Sequence, residues 1–267
     1  VYRNRCNCGP YYPPRCDCPD SYPSYGRTHC VSNYGRTCGG SEDLDEIGRE
    51  REVKRGMRMF GLEGKVAAIV GAASGIGEAV AMGCARHGAV VHCLDINGEG
   101  AAKVADTARQ EGLTTNASAL DIADAEAVDA TFHRIVEEHN HLDIVICTPS
   151  INVRKPLLDY TSEEFDAVIG LNLKGSFNVL RAAAKPMTVH GGGSIILFSS
   201  IRSQVVEPGQ SVYAATKAGI VQLARAAATE LGPSGIRVNA IAPGIVETPL
   251  TAPIKANDDW YAAYASK

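Results

Sequence analysis

Short apolar runs alternate with helix-length segments along most of the chain, from Gly64 onward. The runs have the length of single strands, and they read KVAAIV (65–70), AVVHCL (89–94), LDIVIC (142–147), SIILFS (194–199) and IRVNAI (236–241). Continuous apolar runs separated by helices are typical of parallel strands buried on both faces of a sheet. The pattern therefore predicts an α/β domain with a doubly wound parallel sheet flanked by helices.

One helix start is readable ahead of the segment FDAVIGLNLKGSFNVL (165–180). Thr161 precedes Glu164 by three positions, which is the spacing of a capping box, in which the two side chains bond to each other's backbone N–H groups. We expect a helix to begin beside Thr161 and to run through this segment.

The first 56 residues have a different character. The stretch CNCGPYYPPRCDCPDSYPSYGRTHC (6–30) is rich in Cys, Pro and Tyr and shows no helical or strand periodicity. So few aliphatic residues cannot bury enough surface to offset chain entropy, and the C-x-C pairs lack the spacing of a zinc module. We predict no metal site, a disordered extension and linker over residues 1–58 (natural or an artefact of the gene model), and a folded domain over 59–267, with a natural start near Met57 or Met59.

Composition and charge narrow the class of protein. The net charge of −4 over 267 residues gives no electrostatic reason to expect nucleic acid or an anionic membrane as partner, and no apolar run is long enough to span a bilayer. Cys84, Cys93 and Cys147 fall in segments predicted to be buried helix or strand, where cysteine acts as a small apolar residue in a reducing compartment. These features predict a soluble, cytoplasmic protein.

A glycine-rich turn follows the first predicted strand and opens a helix. It reads GAASGIG (71–77), with Gly71, Gly75 and Gly77 accompanied by Ser74 and Ile76. Glycine lets the backbone turn sharply and approach a ligand closely, while free N–H groups at a helix N-terminus favour an anion. The turn therefore predicts a site for the pyrophosphate of a dinucleotide in a Rossmann-like sheet, although a purely structural turn also fits the motif on its own.

An acidic residue, Asp95, ends the second predicted strand. A carboxylate at this place can accept hydrogen bonds from both ribose hydroxyls of an adenosine and would repel a 2′-phosphate. No Arg or Lys lies in the glycine turn or directly after Asp95. We therefore predict NAD as the cofactor, with NADP the less favoured choice.

Taken together, these motifs resemble the short-chain dehydrogenase/reductase family. A serine thirteen residues before a Tyr-x3-Lys motif, combined with the glycine turn, is a specific combination. The segments that carry the resemblance span almost everything from Gly64 to Thr248, and they are GAASGIG (71–77), Asp95, LDI (120–122), LNLKGSFN (171–178), the serines at 199–200, YAATK (213–217) and NAIAPGIVET (239–248).

The resemblance implies a role for each matching residue. Tyr213 would be the general acid and base, Lys217 its activator, Ser200 the group that holds the substrate oxygen, and Asn172 the anchor of a water in a proton relay. The implied cofactor contacts are Gly71, Ser74, Gly75, Ile76, Gly77, Asp95, Asp121 and Ile122 on the adenosine and phosphate side, and Thr148, Tyr213, Lys217, Pro243, Gly244, Ile245, Val246 and Thr248 on the nicotinamide side.

Elementary chemistry gives Tyr213 and Lys217 a reason to be paired. A spacing of four places both side chains on one helix face. A free tyrosine has a pKa near 10 and is a poor base at neutral pH, so a nearby ammonium that stabilises the phenolate makes it useful. A surface pair on an ordinary helix is the alternative that this stretch leaves open when it is taken on its own.

Two places depart from the family pattern. An Asn-Asn-Ala-Gly turn normally follows the fourth strand, and here it reads Cys147-Thr148-Pro149-Ser150; Pro149 removes an N–H donor, and Thr148 is expected to supply part of the lost hydrogen bonding. The resemblance also implies a further helix and strand after the last residue. We therefore expect a C-terminally truncated domain, and a homotetramer or dimer where that end is complete.

The loops at 150–160, 201–208 and from 248 onward are expected to form the substrate pocket. Arg154 and Arg202 could clamp a carboxylate there, although the sequence gives more weight to two solvated rim residues. Lys155, Glu207, Lys255, Trp260 and Tyr261 lie in the same three loops.

Three functions remain open on the sequence. The leading one is an NAD-dependent oxidoreductase that interconverts a small secondary alcohol and a ketone. The others are an NADPH-dependent 3-oxoacyl ketoreductase, which Asp95 disfavours, and a non-catalytic nucleotide-binding protein, which the presence of Ser200, Tyr213 and Lys217 disfavours.

Overall fold

A computed structural model describes residues 60–252. The predicted extension over 1–58, the expected truncation at the other end, and Lys255, Trp260 and Tyr261 lie outside the described residues. No helix within 60–252 combines the length and the apolar character that crossing a bilayer requires.

Within residues 60–252, six parallel strands form one sheet in the order β3-β2-β1-β4-β5-β6. This is the order of a doubly wound, Rossmann-like sheet, and it confirms the predicted fold class. The chain adds β2 and β3 on one side of β1 and then places β4, β5 and β6 on its other side. This change of side opens a crevice between the carboxyl ends of β1 and β4. The strands are β1 Val66–Val70, β2 Val90–Asp95, β3 Thr115–Ala119, β4 Ile144–Cys147, β5 Gly193–Phe198 and β6 Ile236–Ile241.

The edge strand β3 was not predicted from the sequence. Its residues, TNASA, include no large aliphatic side chain, and only Thr115 is fully buried. An edge strand is covered less completely than a central one, so it does not need the apolar run by which the other strands were recognised.

In the described part of the chain, six α-helices cover the two faces of the sheet. They are α1 Gly75–Arg86, α2 Gly98–Gln110, α3 Ala125–His139, α4 Ser162–Ile169, α5 Ser176–Val189 and α6 Ser211–Leu231. Side chains alternate along β1, so that Val66, Ala68 and Val70 pack in the core under α3, α5 and α6, whereas Ala67 and Ile69 pack under α1 and α2.

The predicted capping box is present at the start of α4. Thr161 Oγ1 accepts a hydrogen bond from the Glu164 N–H at 3.2 Å, and Glu164 Oε2 accepts one from the Thr161 N–H at 2.9 Å. The helix does not continue unbroken, however, because residues Gly170–Gly175 form a π-helical turn between α4 and α5. Such wide turns are frequent at functional sites.

The three cysteines of the described residues have free thiols. Cys93 and Cys147 are buried and Cys84 is half-buried, as the sequence predicted for small apolar filler residues.

Candidate active site

The glycine turn between β1 and α1 needs glycine for two different reasons. Gly71 has a φ of +86°, and a Cβ added there would meet Thr148 Oγ1. A Cβ at Gly77 would overlap the carbonyl oxygen of Gly71. The turn therefore depends on left-handed backbone at its start and on close backbone approach at its end.

The N-terminus of α1 lacks a side-chain cap. Ser74 occupies the N-cap position, but its hydroxyl accepts no hydrogen bond from the first turn of the helix. The first N–H groups of a helix have no partner within the helix, and together with the helix dipole they suit a phosphate group.

A cavity of about 430 Å³ extends from this turn along the carboxyl ends of the strands. We call it the turn cavity. The charged residues that line it are Asp95 and Asp121, and no Lys or Arg is among its lining residues in the described part of the chain. The predicted residues that line it are Gly71, Ser74, Gly75, Ile76, Gly77, Asp95, Asp121, Ile122, Thr148 and Thr248.

The carboxylate of Asp95 is held by two backbone groups. Its Oδ2 accepts a hydrogen bond from the Ala73 N–H at 3.0 Å, and its Oδ1 accepts one from the Asn97 N–H at 2.9 Å. Each carboxylate oxygen can accept a further hydrogen bond, so the group is oriented and still able to bind a ligand hydroxyl.

A second cavity, of about 100 Å³, adjoins the first. We call it the tyrosine cavity. Ile76, Thr148, Ser150 and Thr248 line both cavities, which makes them one continuous cleft. The predicted residues that line the tyrosine cavity are Ile76, Thr148, Ser200, Tyr213, Lys217, Pro243, Gly244, Val246 and Thr248.

Tyr213 and Lys217 lie near the N-terminus of α6 and face this cavity. The Lys217 ammonium nitrogen is 5.4 Å from the centre of the Tyr213 ring and donates a hydrogen bond to the Phe198 carbonyl at 2.9 Å. Lys217 is 2% exposed, and burial lowers its pKa to about 8. Burial also raises the pKa of the adjacent Cys147 thiol to about 12, so this thiol is neutral at pH 7.

The two serines after β5 are held by different contacts. Ser199 Oγ donates a hydrogen bond to the Lys217 carbonyl at 2.7 Å, which ties the end of β5 to α6. Ser200 Oγ accepts one from the Arg202 N–H at 3.2 Å. A hydroxyl that accepts in this way keeps its hydrogen free to donate, and Ser200 lines the tyrosine cavity.

Asn172 is the predicted catalytic residue that lines neither cavity. It is fully buried in the π-helical turn. Its amide exchanges two 2.9 Å hydrogen bonds with the backbone of Ile151 and donates a third, at 3.2 Å, to Thr216 Oγ1. The side chain thus fastens the loop after β4 to α6 behind the cleft.

The altered turn after β4 retains a link to the glycine turn. Thr148 Oγ1 donates to the Val70 carbonyl at 2.9 Å and approaches the Gly71 carbonyl at 3.4 Å. Pro149 lines the turn cavity beside it.

Ser150 is a lining residue that sequence reasoning did not single out. Its Oγ is buried and has no hydrogen-bond partner among the described residues, a condition it shares there with Asn152 Oδ1 and Ser203 Oγ. Of these three residues, Ser150 is the one that lines both cavities. The available signal was the hydroxyl residue in place of the glycine in the family's Asn-Asn-Ala-Gly turn.

The two arginines proposed as a carboxylate clamp both meet an acidic residue. Arg202 Nη2 forms a close ion pair with Glu207 Oε2, and Arg154 Nη1 lies 3.6 Å from Glu207 Oε1. A substrate carboxylate would have to compete with Glu207 for both, so the structure does not favour the clamp.

Known proteins with similar sequences are oxidoreductases, which agrees with the geometry of the cleft. A family model described as enoyl-(acyl carrier protein) reductase matches residues 71–267. The chain is 39% identical over 194 residues to the oxidoreductase UcpA of Escherichia coli K12, covering 72% of this chain and 73% of that protein. It is 38% identical over 192 residues to the 3-oxoacyl-[acyl-carrier-protein] reductase FabG of Thermotoga maritima, covering 71% and 77%.

Solved structures with the same fold include two described as gluconate 5-dehydrogenases. The Burkholderia cenocepacia structure, a complex with NADP and tartrate, has a TM-score of 0.74 and 32% identity over 77% of this chain and 80% of that one. The Beutenbergia cavernae structure, with bound NADP, has a TM-score of 0.74 and 32% identity over 78% and 82%. Sequence, fold and cleft agree, and the chain belongs to the short-chain dehydrogenase/reductase family of oxidoreductases.

Proposed function

We propose that this protein is an NAD-dependent oxidoreductase that interconverts a small secondary alcohol and the corresponding ketone. The observation that carries the proposal is the grouping of Ser200, Tyr213 and Lys217 around one small cavity that is continuous with the turn cavity. A proton-transferring group beside a dinucleotide-sized cleft is what this reaction requires.

In the proposed reaction, Tyr213 takes the hydroxyl proton of the alcohol, or returns it to the ketone oxygen. The Lys217 ammonium stabilises the phenolate form of Tyr213, which accepts the proton when the alcohol is oxidised and is left behind when the ketone is reduced. The ammonium nitrogen is 5.4 Å from the centre of the Tyr213 ring, and for unit charges about 5 Å apart Coulomb's law at an effective dielectric of about 20 gives an attraction of roughly 3 kcal/mol. The hydrogen bond to the Phe198 carbonyl holds the ammonium in place.

Ser200 and Asn172 serve this step in different ways. Ser200 donates its free hydroxyl hydrogen to the substrate oxygen and so orients the reacting carbon. Asn172 is proposed to act as a positioning residue, because its amide holds the Ile151 backbone and Thr216. In this proposal the Asn172 side chain positions its neighbours and does not itself contact a ligand in the cleft.

The residues of the turn cavity fit a dinucleotide. The uncapped N-terminus of α1 would hold the pyrophosphate, Asp95 would accept the ribose hydroxyls, and Asp121 and Ile122 would lie beside the adenine. When bound, the nicotinamide ring supplies the hydride acceptor or donor of the reaction.

NAD is proposed over NADP because the turn cavity presents carboxylates and no cation among its described lining residues. A 2′-phosphate placed beside Asp95 would be repelled. The two gluconate 5-dehydrogenase structures contain NADP, so the preference needs a direct test in this chain. Fluorescence titration with NADH and with NADPH provides one, and tighter binding of NADPH would overturn this part of the proposal.

The activity is tested by mixing the full chain with NAD⁺ and a panel of secondary alcohols and following the absorbance of NADH. We expect turnover in the wild type and a loss of at least about 100-fold in kcat for Tyr213→Phe, the magnitude typical of a general acid–base group. The variant should still bind NADH, because the phenol hydroxyl contributes little to the turn cavity. Equal turnover in the two proteins would exclude the proposed role of Tyr213.

A second candidate is an NADPH-dependent 3-oxoacyl ketoreductase, favoured by the identity to the Thermotoga maritima reductase. Oxidation of NADPH, but not of NADH, by an acetoacetyl thioester would favour it. A chain that binds dinucleotide and turns over neither substrate class would support the non-catalytic alternative.

A further inference from the structure

Two histidines and a glutamate meet on the sheet, away from the cleft. His92 lies in the middle of β2, and Glu138 and His139 are the last two residues of α3. One ligand atom from each of the three lies within 4.8 Å of the other two, and the described part of the chain has no other group of three or more Cys, His, Asp or Glu side chains gathered this closely.

The distances are close to those of a metal coordination sphere. His92 Nε2 is 2.8 Å from His139 Nε2, and Glu138 Oε1 is 3.5 Å from His139 Nε2. Zinc binds imidazole nitrogen at about 2.0–2.1 Å, which places tetrahedral ligands about 3.3 Å apart. The two nitrogens would therefore separate by about half an ångström to bind an ion.

The burial of the three side chains also suits an ion site. His92 is 5% exposed, which fixes one ligand within the fold. The side chains of His139 and Glu138 are 19% and 50% exposed, so an ion can enter from solvent and the carboxylate can turn toward it. Asn116, whose Nδ2 is 3.4 Å from Glu138 Oε1, is a hydrogen-bond partner that can orient that carboxylate.

We propose that His92, Glu138 and His139 form a binding site for a divalent transition-metal ion of the zinc class, with water completing the coordination. Imidazole and carboxylate ligands in this combination suit zinc and its neighbours rather than calcium or magnesium. The ion would join β2 to the C-terminus of α3. None of the three residues lines the turn cavity or the tyrosine cavity, so the site is separate from the proposed reaction.

The test is titration of the full chain with Zn²⁺ by calorimetry, after accessible thiols have been alkylated with iodoacetamide so that the cysteines of residues 1–56 do not bind the metal. His139→Gln removes a ligand while keeping a hydrogen-bonding group beside His92. His133→Gln is the matched control, because His133 lies on the same helix and contacts Glu137 at 3.4 Å but belongs to no group of three ligands in the part of the chain that the structure describes.

We expect one Zn²⁺ to bind to the wild type and to His133→Gln with equal affinity, and binding to His139→Gln that is weaker by at least about 100-fold, because losing a direct ligand costs more than the 10–100-fold typical of an outer-shell partner. Glu138→Gln, an exposed position that should not affect folding, is expected to weaken binding in the same direction and serves if His139→Gln is unstable. Absence of zinc binding in the wild type, or equal binding in all variants, would show that His92 and His139 form only a hydrogen-bonded pair. No cofactor or substrate enters this assay, so its outcome is independent of the proposed activity.

Discussion

The buried ammonium of Lys217 links the chemistry of the site to the stability of the fold. Its pKa is lowered from 10.5 to about 8 by burial, so between these values the unfolded chain binds more protons than the folded one. The free energy of unfolding therefore rises as the pH increases from about 8 to 10.5. At pH 7 the buried ammonium lowers the free energy of unfolding by its full amount, roughly 3 kcal/mol for a pKa shift of this size.

Lys217→Met is therefore expected to stabilise the protein at pH 7 while reducing activity. We expect the free energy of unfolding to rise by roughly 1–3 kcal/mol. Loss of the hydrogen bond to the Phe198 carbonyl offsets part of the stability gained by removing the buried charge. The gain should shrink as the pH approaches 10.5. Urea unfolding of both proteins at several pH values measures it, and a gain that stays constant with pH would show that the buried charge is not its cause.

The buried hydroxyl of Ser150, which has no hydrogen-bond partner among the described residues, predicts a contact with the cofactor. A buried hydroxyl without a partner is costly, and Ser150 Oγ lies where a ligand bound across both cavities would meet it. Ser150→Ala should weaken NADH binding by roughly 2–10-fold, the value of one hydrogen bond, without lowering the melting temperature.

Ser203→Ala is the matched control for Ser150. Its hydroxyl is equally buried and without a partner among the described residues, yet Ser203 lines neither cavity. Fluorescence titration of NADH should therefore distinguish the two variants. The same affinity for both would mean that Ser150 makes no contact with the cofactor.

Two of the three glycines in helix α1, Gly77 and Gly83, have opposite structural demands. A Cβ at Gly77 overlaps the Gly71 carbonyl, whereas a Cβ at Gly83 meets nothing within 4 Å. Gly77→Ala should therefore distort the turn, lower the melting temperature and weaken NADH binding by more than 10-fold. Gly83→Ala should stabilise the helix by about 0.5–1 kcal/mol and leave binding unchanged.

Thermal unfolding and NADH titration of the two variants check this prediction. Near-wild-type NADH binding by Gly77→Ala would mean that the turn can open without loss of the pyrophosphate site. The pair separates a general effect of alanine in α1 from the particular effect of close backbone approach.

Elements differed in how far the sequence predicted them. The central strands and the start of α4 were predictable because burial on both faces and a capping box leave local patterns. The edge strand β3 and the π-helical turn at Gly170–Gly175 were not, since neither leaves such a pattern. Asn172 was expected within a regular helix and instead lies in this turn.

At the scale of the whole molecule, the sheet and both cavities lie within residues 60–252. We propose that residues 1–58 are an extension that the domain does not need. Deletion of residues 1–56 should leave NADH binding unchanged and shift the melting temperature by less than about 3 °C, equivalent to under 1 kcal/mol.

A longer deletion provides the contrast. Removal of residues 1–70 also takes away β1, which pairs with both β2 and β4 at the centre of the sheet, and this chain should not fold. Loss of cofactor binding in the shorter deletion would assign residues 1–56 a part in the site. The homotetramer or dimer expected from the resemblance stays a prediction, which sedimentation of the full chain can test.

The sequence by itself determined the class of fold, the place of the glycine turn and the identity of most residues that line the cleft. These follow from interactions between neighbours along the chain: strand-length apolar runs, left-handed glycines and a tyrosine and lysine one helical turn apart. The tertiary structure alone decided the burial of Lys217, the orphaned hydroxyl of Ser150, the anchoring role of Asn172 and the meeting of His92 with His139. Each depends on segments far apart in sequence, whose distance and shielding from water are set by packing across the sheet.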